Sequence, residues 1–240
     1  MIPAMRLNNP LAERSTMHRL RFILPLLAFL GIASGVAWAD QGPADLVREA
    51  RISFQRFLAD PDMAWARKHL SEARAVVIVP SFLRAGFIIG GAGGRGVMLY
   101  RDPKTGAWSG PAFYAVGAGS LGFQIGADAS EVLLMVMSDK TARDLMTTNI
   151  SLGGDASVAA GPVGAGTGRE FTADVASYAR SKGLYAGLSL QGAVLKPTSG
   201  WNERFYGKPV SIEDILVKHA VDKPLGRQLR STVEAAVAGR

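Results

Sequence analysis

Between Pro80 and Arg101 the chain reads PSFLRAGFIIGGAGGRGVMLYR, short apolar runs interleaved with glycine. Valine, isoleucine, phenylalanine and tyrosine favour a pleated, half-buried surface, and extended chain is the simplest conformation that places them here. Glycine inside a strand marks a bulge, a sharp bend or a close approach by another backbone. Six glycines fall within residues 86–96, so the tract predicts a sheet that curls strongly.

Strand periodicity extends on both sides of this tract. Ala75–Val79 (AVVIV) is a continuous apolar run, as expected of a strand buried on both faces. Gly86–Gly90, Val97–Arg101, Ala112–Ala118, Gly122–Ala127 and Val132–Met137 follow, with Ala173–Arg180 and Leu184–Leu195 later, around the turn Ser181-Lys182-Gly183. Asp102-Pro103-Lys104-Thr105-Gly106 reads as a hairpin turn, because proline presets φ and glycine takes the positive-φ corner. Residues 43–59 have helical period, with Val47, Ala50, Phe54 and Phe57 or Leu58 on one face and Arg48, Arg51 and Gln55 on another. Asp60-Pro61-Asp62 breaks that helix and caps a second, Met63–Ala73. Further helices are expected at Asp139–Met146, Asn202–Tyr206, Ile212–Ala220 behind a Ser211 cap, and Leu225–Ala238. Strands joined by short turns, without crossover helices, argue for antiparallel pairing. The expected class is α+β: a strongly curved antiparallel sheet or barrel-like core flanked by N-terminal and C-terminal helices.

The first 39 residues read differently. Met17-His18-Arg19-Leu20-Arg21 is a basic start, Phe22–Val36 an apolar run, and Ala37-Trp38-Ala39 an A-x-A cleavage site before Asp40. That order is the secretory signal pattern, and the run is short for a membrane span. The expected layout is a signal peptide over 1–39, with 1–16 an upstream extension, and one domain over 40–240. The expected location is the periplasm or cell envelope, or outside the cell. Without the leader the chain keeps 23 basic and 19 acidic residues. This mild excess does not by itself make a nucleic-acid footprint, and no nucleic-acid partner is expected.

Catalytic patterns are weak. The chain has no cysteine, which excludes disulfides, thiolate nucleophiles and cysteine metal sites. Gly91-x-Gly93-x-x-Gly96 and Gly117-x-Gly119-x-x-Gly122 match a dinucleotide fingerprint, but strands follow them where a helix is required. Ala118 breaks the nucleophile-elbow pattern around Ser120. His69 and His219 fall in predicted helices, where solvated surface positions are expected, with no metal-ligand spacing between them. Asp128, Glu131, Asp155 and Asp174 are turn or strand-end acids without an acid–base pairing. No enzymatic activity and no cofactor are expected. Trp108, Phe113, Tyr114, Phe123, Tyr178 and Tyr185 read as core or cross-strand partners. Arg84, Arg95, Arg101, Lys196 and Lys208 read as rim residues or anionic-headgroup contacts.

The ordered glycine and aromatic positions resemble one family. Pro80-Ser81, Ala85-Gly86-Phe87, Gly90-Gly91, Gly94, Gly96 and Arg101 are similar to the opening signature of the SYLF domain. The likeness continues through Trp108-Ser109-Gly110-Pro111-Ala112-Phe113, Gly117, Gly119, Ser120 and Gly122, then Ala159-Ala160-Gly161-Pro162. It closes on Tyr178 and Lys182-Gly183-Leu184-Tyr185-Ala186-Gly187. The resemblance implies a lipid-binding module, phosphoinositide-directed and tied to actin assembly in eukaryotic members, that uses its N-terminal helical part. Carried onto this chain, it implies lipid contact through Arg48, Arg51 and Arg56, with insertion of Phe54, Phe57 and Leu58. No SH3-like or FYVE-like segment and no lysine-dense run near the start reads in the chain, which leaves actin a doubtful partner. The expected partner is an anionic phospholipid surface. The alternative is a structural or protein-interaction module of the periplasm.

Overall fold

The computed structural model describes residues 42–239, apart from 87–88, 122–125, 163–170, 182–183 and 188–189. The expected leader, residues 1–39, lies outside the described residues, as does Phe123. Helix α1 is Pro43–Ala59, and α2 (Ala64–His69) sits between the 3-10 turns Pro61–Met63 and Leu70–Glu72. Strands β1 (Ala75–Gly86), β2 (Ile89–Arg101), β3 (Trp108–Leu121) and β4 (Gly126–Val136) follow. Next come α3 (Asp139–Thr147), β5 (Ile150–Ser151), β6 (Val158–Ala160), β7 (Val175–Ser181), β8 (Leu184–Gly187) and β9 (Val194–Pro197). Helices α4 (Ser199–Tyr206), α5 (Ile212–Leu216) and α6 (Pro224–Val237) close the domain.

The class is α+β, with one strongly curved sheet and helices at both ends. Its strand order is β5-β9-β3-β2-β1-β4-β7-β6, with β8 also on β7. Pairing is antiparallel except between β6 and β7, which run parallel. The connection from β6 to β7 departs from the hairpin pattern that short turns suggest elsewhere.

The strands are longer than the local patterns suggest. β1 runs straight through Pro80 because a bulge accommodates it: Val79 and Pro80 together oppose Gly96 alone. On the other edge of β1, Pro80 and Ser81 oppose Glu131. Proline cannot donate to a ladder, so a bulge is where a strand interior admits it. A Cβ on Gly94 would lie 2.3 Å from the Ser81 carbonyl oxygen, and one on Gly96 2.7 Å from that of Ile78. Those two glycines answer the bulge. A second bulge sets Gly110 and the cis-linked Pro111 of β3 against Leu99 of β2, with Gly110 at φ +105°. The Asp102–Gly106 turn forms as its residues require: Gly106 has φ +73°, and Asp102 Oδ1 accepts from the backbone N–H groups of Lys104 and Thr105.

Ala75–Val79 are fully buried because both faces of the sheet are covered. Phe113 and Tyr114 are neighbours in β3 and so point to opposite faces. Phe113 meets Trp201 and Phe205 of α4, whereas Tyr114 Oη donates to the Leu145 carbonyl of α3 at 2.7 Å. Helix α1 packs on β1 and β2, and α5 and α6 pack on β3. The predicted segment Leu184–Leu195 is two short strands, β8 and β9, on opposite sides of the sheet. The helix predicted to Ala220 stops at Leu216, and His219 has φ 52°. Ser211 caps it as expected, in a reciprocal box with Asp214.

Candidate functional site

Helix α1 turns Leu46, Val47, Ala50, Phe54 and Phe57 into the core, which follows from their spacing of three and four residues. Phe54 and Phe57 are fully buried. The expectation that they insert into a bilayer therefore needs correction. Moving them to lipid exchanges one apolar medium for another and leaves two cavities behind, at about 3–5 kcal/mol for each emptied aromatic site. Leu58 is half-buried and packs against the same core. The large apolar side chain that α1 does present outward is Ile52, 42% exposed. The hydrophobic phase of the helix already separates it from Phe54 and Phe57.

The three arginines of α1 have different surroundings. Arg48 pairs with Asp45 one turn earlier, at 2.5 Å, and both are exposed. Arg56 pairs with Glu131 of β4 at 2.7 Å, and Arg180 of β7 reaches the other oxygen of the same carboxylate at 3.4 Å. Arg56 thus ties α1 to the sheet. Arg51 is half-buried and, among the described residues, has no salt bridge. Glu49, on the same helix, has its carboxyl held above the usual range by partial burial and by the nearby Asp45 carboxylate.

Arg51 opens onto a groove of about 880 Å³ between α1 and α6. On the α6 side the walls are Arg227, Gln228, Ser231 and Thr232; on the α1 side they include Arg51 and Gln55. Leu58, Ala59, Ala235 and Ala236 supply its apolar part. Nothing in the sequence of either helix signals that the two meet.

The remaining basic residues divide by use. Arg101 donates to the Ser71 and Gly106 carbonyls and is structural. Arg84 lies over the Phe82 ring at 5.7 Å, and Arg95 lies over Trp201 at 4.6 Å. Lys196 is exposed and shares a sheet row with Arg95 through Ala115. Lys208 is exposed.

Among the described residues, the histidines and acids considered for catalysis form no common cluster. His69 is half-buried, stacked on Trp65 with ring centroids 4.1 Å apart and Nδ1 2.9 Å from the Trp65 carbonyl. That replaces the solvated position expected for it. His219 is exposed. The acids serve local hydrogen bonds. Asp128 accepts from Ser181 and Ser130, Asp155 from the Ser151 N–H, and Asp174 from Ser157. The Ser157 hydroxyl holds the Asp174 carboxyl below its usual range. Gly91, Gly93 and Gly96 lie inside β2, and Gly117 and Gly119 inside β3, where the fingerprint needs a turn into a helix; Gly122 lies outside the described residues. No group of three potential metal ligands occurs among the described residues. Among them, no helix is long and apolar enough to cross a membrane.

Against known proteins, the Ysc84 family model, described as "Las17-binding protein actin regulator", matches residues 117–236. The chain is 31% identical over 161 residues to SH3 domain-containing YSC84-like protein 1 of Rattus norvegicus, covering 65% of this chain and 47% of that protein. Its Homo sapiens counterpart is equally similar, at 31% identity and 46% coverage. Protein YSC84 of Saccharomyces cerevisiae is 32% identical over 154 residues, which cover 61% of this chain and 32% of that protein. The chain thus spans about half the length, or less, of these relatives. No solved structure matches it. The family match includes α6 and starts after α1, so it covers one wall of the groove.

Proposed function

Because the chain belongs to the Ysc84, or SYLF, family, we propose that it is a non-catalytic module that docks on anionic phospholipid surfaces of the cell envelope. The observation that carries this reading is the outward face of α1, where Arg48 and Arg51 flank the exposed Ile52. Each basic side chain near an anionic surface contributes about 1 kcal/mol. Two or three give weak, salt-sensitive association, and Ile52 adds a small apolar contact. Binding is then reversible docking of a folded domain, with no release of core phenylalanines.

Flotation of the purified protein with vesicles tests this. Recovery is expected to rise with anionic lipid and to fall with salt. Arg48→Glu with Arg51→Glu should weaken it about tenfold or more, while Arg56 is left in place to keep its pair with Glu131. Equal recovery on neutral vesicles removes the electrostatic basis of the reading.

A second reading is favoured by the family description, which names a protein partner. On it the domain is a protein-interaction module, and the same charge reversals leave vesicle recovery unchanged.

A further inference from the structure

We infer that a second pocket, where the starts of α1 and α6 meet α4, binds a small aromatic carboxylate: one ring carrying an acid group on a short arm. The pocket uses none of the side chains assigned to membrane docking, and neither proposal depends on the other.

Both α1 and α6 open on a proline, whose fixed φ suits the first helical position. The fold brings these two openings together against Phe205 of α4, around a pocket of about 420 Å³. That lies at the small end of the range for small-molecule sites, about 300–1,000 Å³. Pro43 and Phe205 are buried and form its floor, and Pro224 and Leu225 wall its side. Three of these four side chains are rings. A further ring packs on such walls in offset or edge-on contact, so the pocket selects an aromatic body over an acyl chain.

Two cations border the same pocket, Arg204 and Lys223, and none of its described lining residues is acidic. Arg204 is exposed and Lys223 half-buried, which puts both at the mouth. The acids closest to them are engaged or turned away. Asp45 pairs with Arg48, and Asp222 pairs with Arg227 and Arg230. Glu203 is next to Arg204 in α4, but successive residues of a helix do not face each other. Among the described residues, Arg204 and Lys223 take part in no salt bridge. The Arg204 guanidinium lies over Trp201 at 5.7 Å, a contact through its face that leaves its N–H edge for an acceptor. An apolar floor under two unmatched cations complements a ligand with one apolar body and one anionic end. The ring sits among Pro43, Pro224 and Phe205, and the carboxylate accepts charge-assisted hydrogen bonds from Arg204 and Lys223.

The experiment titrates the purified protein with hydrocinnamate at constant ionic strength, following backbone amide NMR shifts. Shifts centred on Ala44, Phe205 and Leu225 are expected. Hydrocinnamyl alcohol, which keeps the ring and loses the charge, should bind about tenfold more weakly or worse. Arg204→Gln and Lys223→Gln should each weaken binding of the acid by a similar factor. Octanoate, an acid without a ring, should bind more weakly than hydrocinnamate. Ala44→Phe fills the pocket without touching either cation, and should abolish the shifts while the melting temperature holds. If that variant melts early, the two charge variants decide, since neither side chain is buried. Several outcomes overturn the site: no shifts at about 10 mM hydrocinnamate, shifts scattered over the basic surface, or insensitivity to both charge variants. Equal binding of the alcohol removes the carboxylate from the proposal, and octanoate binding as tightly as hydrocinnamate refutes the aromatic ligand.

Discussion

Gly94 and Gly119 lie in neighbouring strands of one glycine-rich hairpin, yet they answer to different constraints. A Cβ on Gly94 would meet the Ser81 carbonyl oxygen at 2.3 Å and a Val79 methyl at 2.9 Å, whereas a Cβ on Gly119 meets nothing within 4 Å. The first contact is with backbone at a bulge and cannot be relieved by a side-chain rotation. Gly94→Ala should therefore cost about 2 kcal/mol or more, and Gly119→Ala should stay within about 0.5 kcal/mol. Urea denaturation of the two variants reads the difference. Equal losses would mean that the glycines serve flexibility and not close approach. The sequence marks both positions identically, because the distinction lies in what the partner strand brings opposite each.

Among the elements, α4 shows how a helix is seated on the sheet. Asn202 is buried, and its side-chain oxygen accepts from the Phe113 backbone N–H at 3.0 Å. Tyr206 Oη donates to the Pro111 carbonyl at 2.8 Å. These bonds satisfy β3 backbone groups that have no neighbouring strand at that point, since β9 reaches β3 only from Tyr114 onward. Asn202→Ala leaves a buried N–H without its acceptor, and a loss of about 2 kcal/mol is expected in chemical unfolding. A loss below about 0.5 kcal/mol would show that water replaces the amide there. The helix itself is legible from its aromatic spacing, but its role in satisfying β3 is not, because its partner lies 89 residues away.

At the scale of the molecule, the first and last helices are joined through the sheet and through each other. Leu229 and Val233 of α6 are fully buried, and Gly226 comes so close to Pro111 that a Cβ there would sit 2.8 Å from the ring. Removing residues 224–240 should therefore expose apolar faces of both α1 and β3. The shortened chain is expected to lose its cooperative thermal transition and its dispersed amide spectrum. A cooperative melt in the shortened chain would show that α1 and the sheet hold without α6. The candidate groove exists only because this closure brings Arg51 and Arg227 to one place.

The sequence alone determined the class, the strand-rich middle, the capped helices and the family, since each rests on local periodicity, turn chemistry or an ordered set of residues. It also marked Arg51 as an outward residue of α1. Tertiary structure decided what those residues are for. Helical phase puts Ile52 on a different side of α1 from Phe54 and Phe57, but only packing against β1 and β2 decides that the phenylalanine side is the buried one and not a face for lipid. Arg48, Arg51 and Arg56 are likewise alike until Asp45 and Glu131 take up two of them. The physical reason is that burial and charge pairing depend on neighbours distant in the chain, and periodicity records only which side of an element a residue is on.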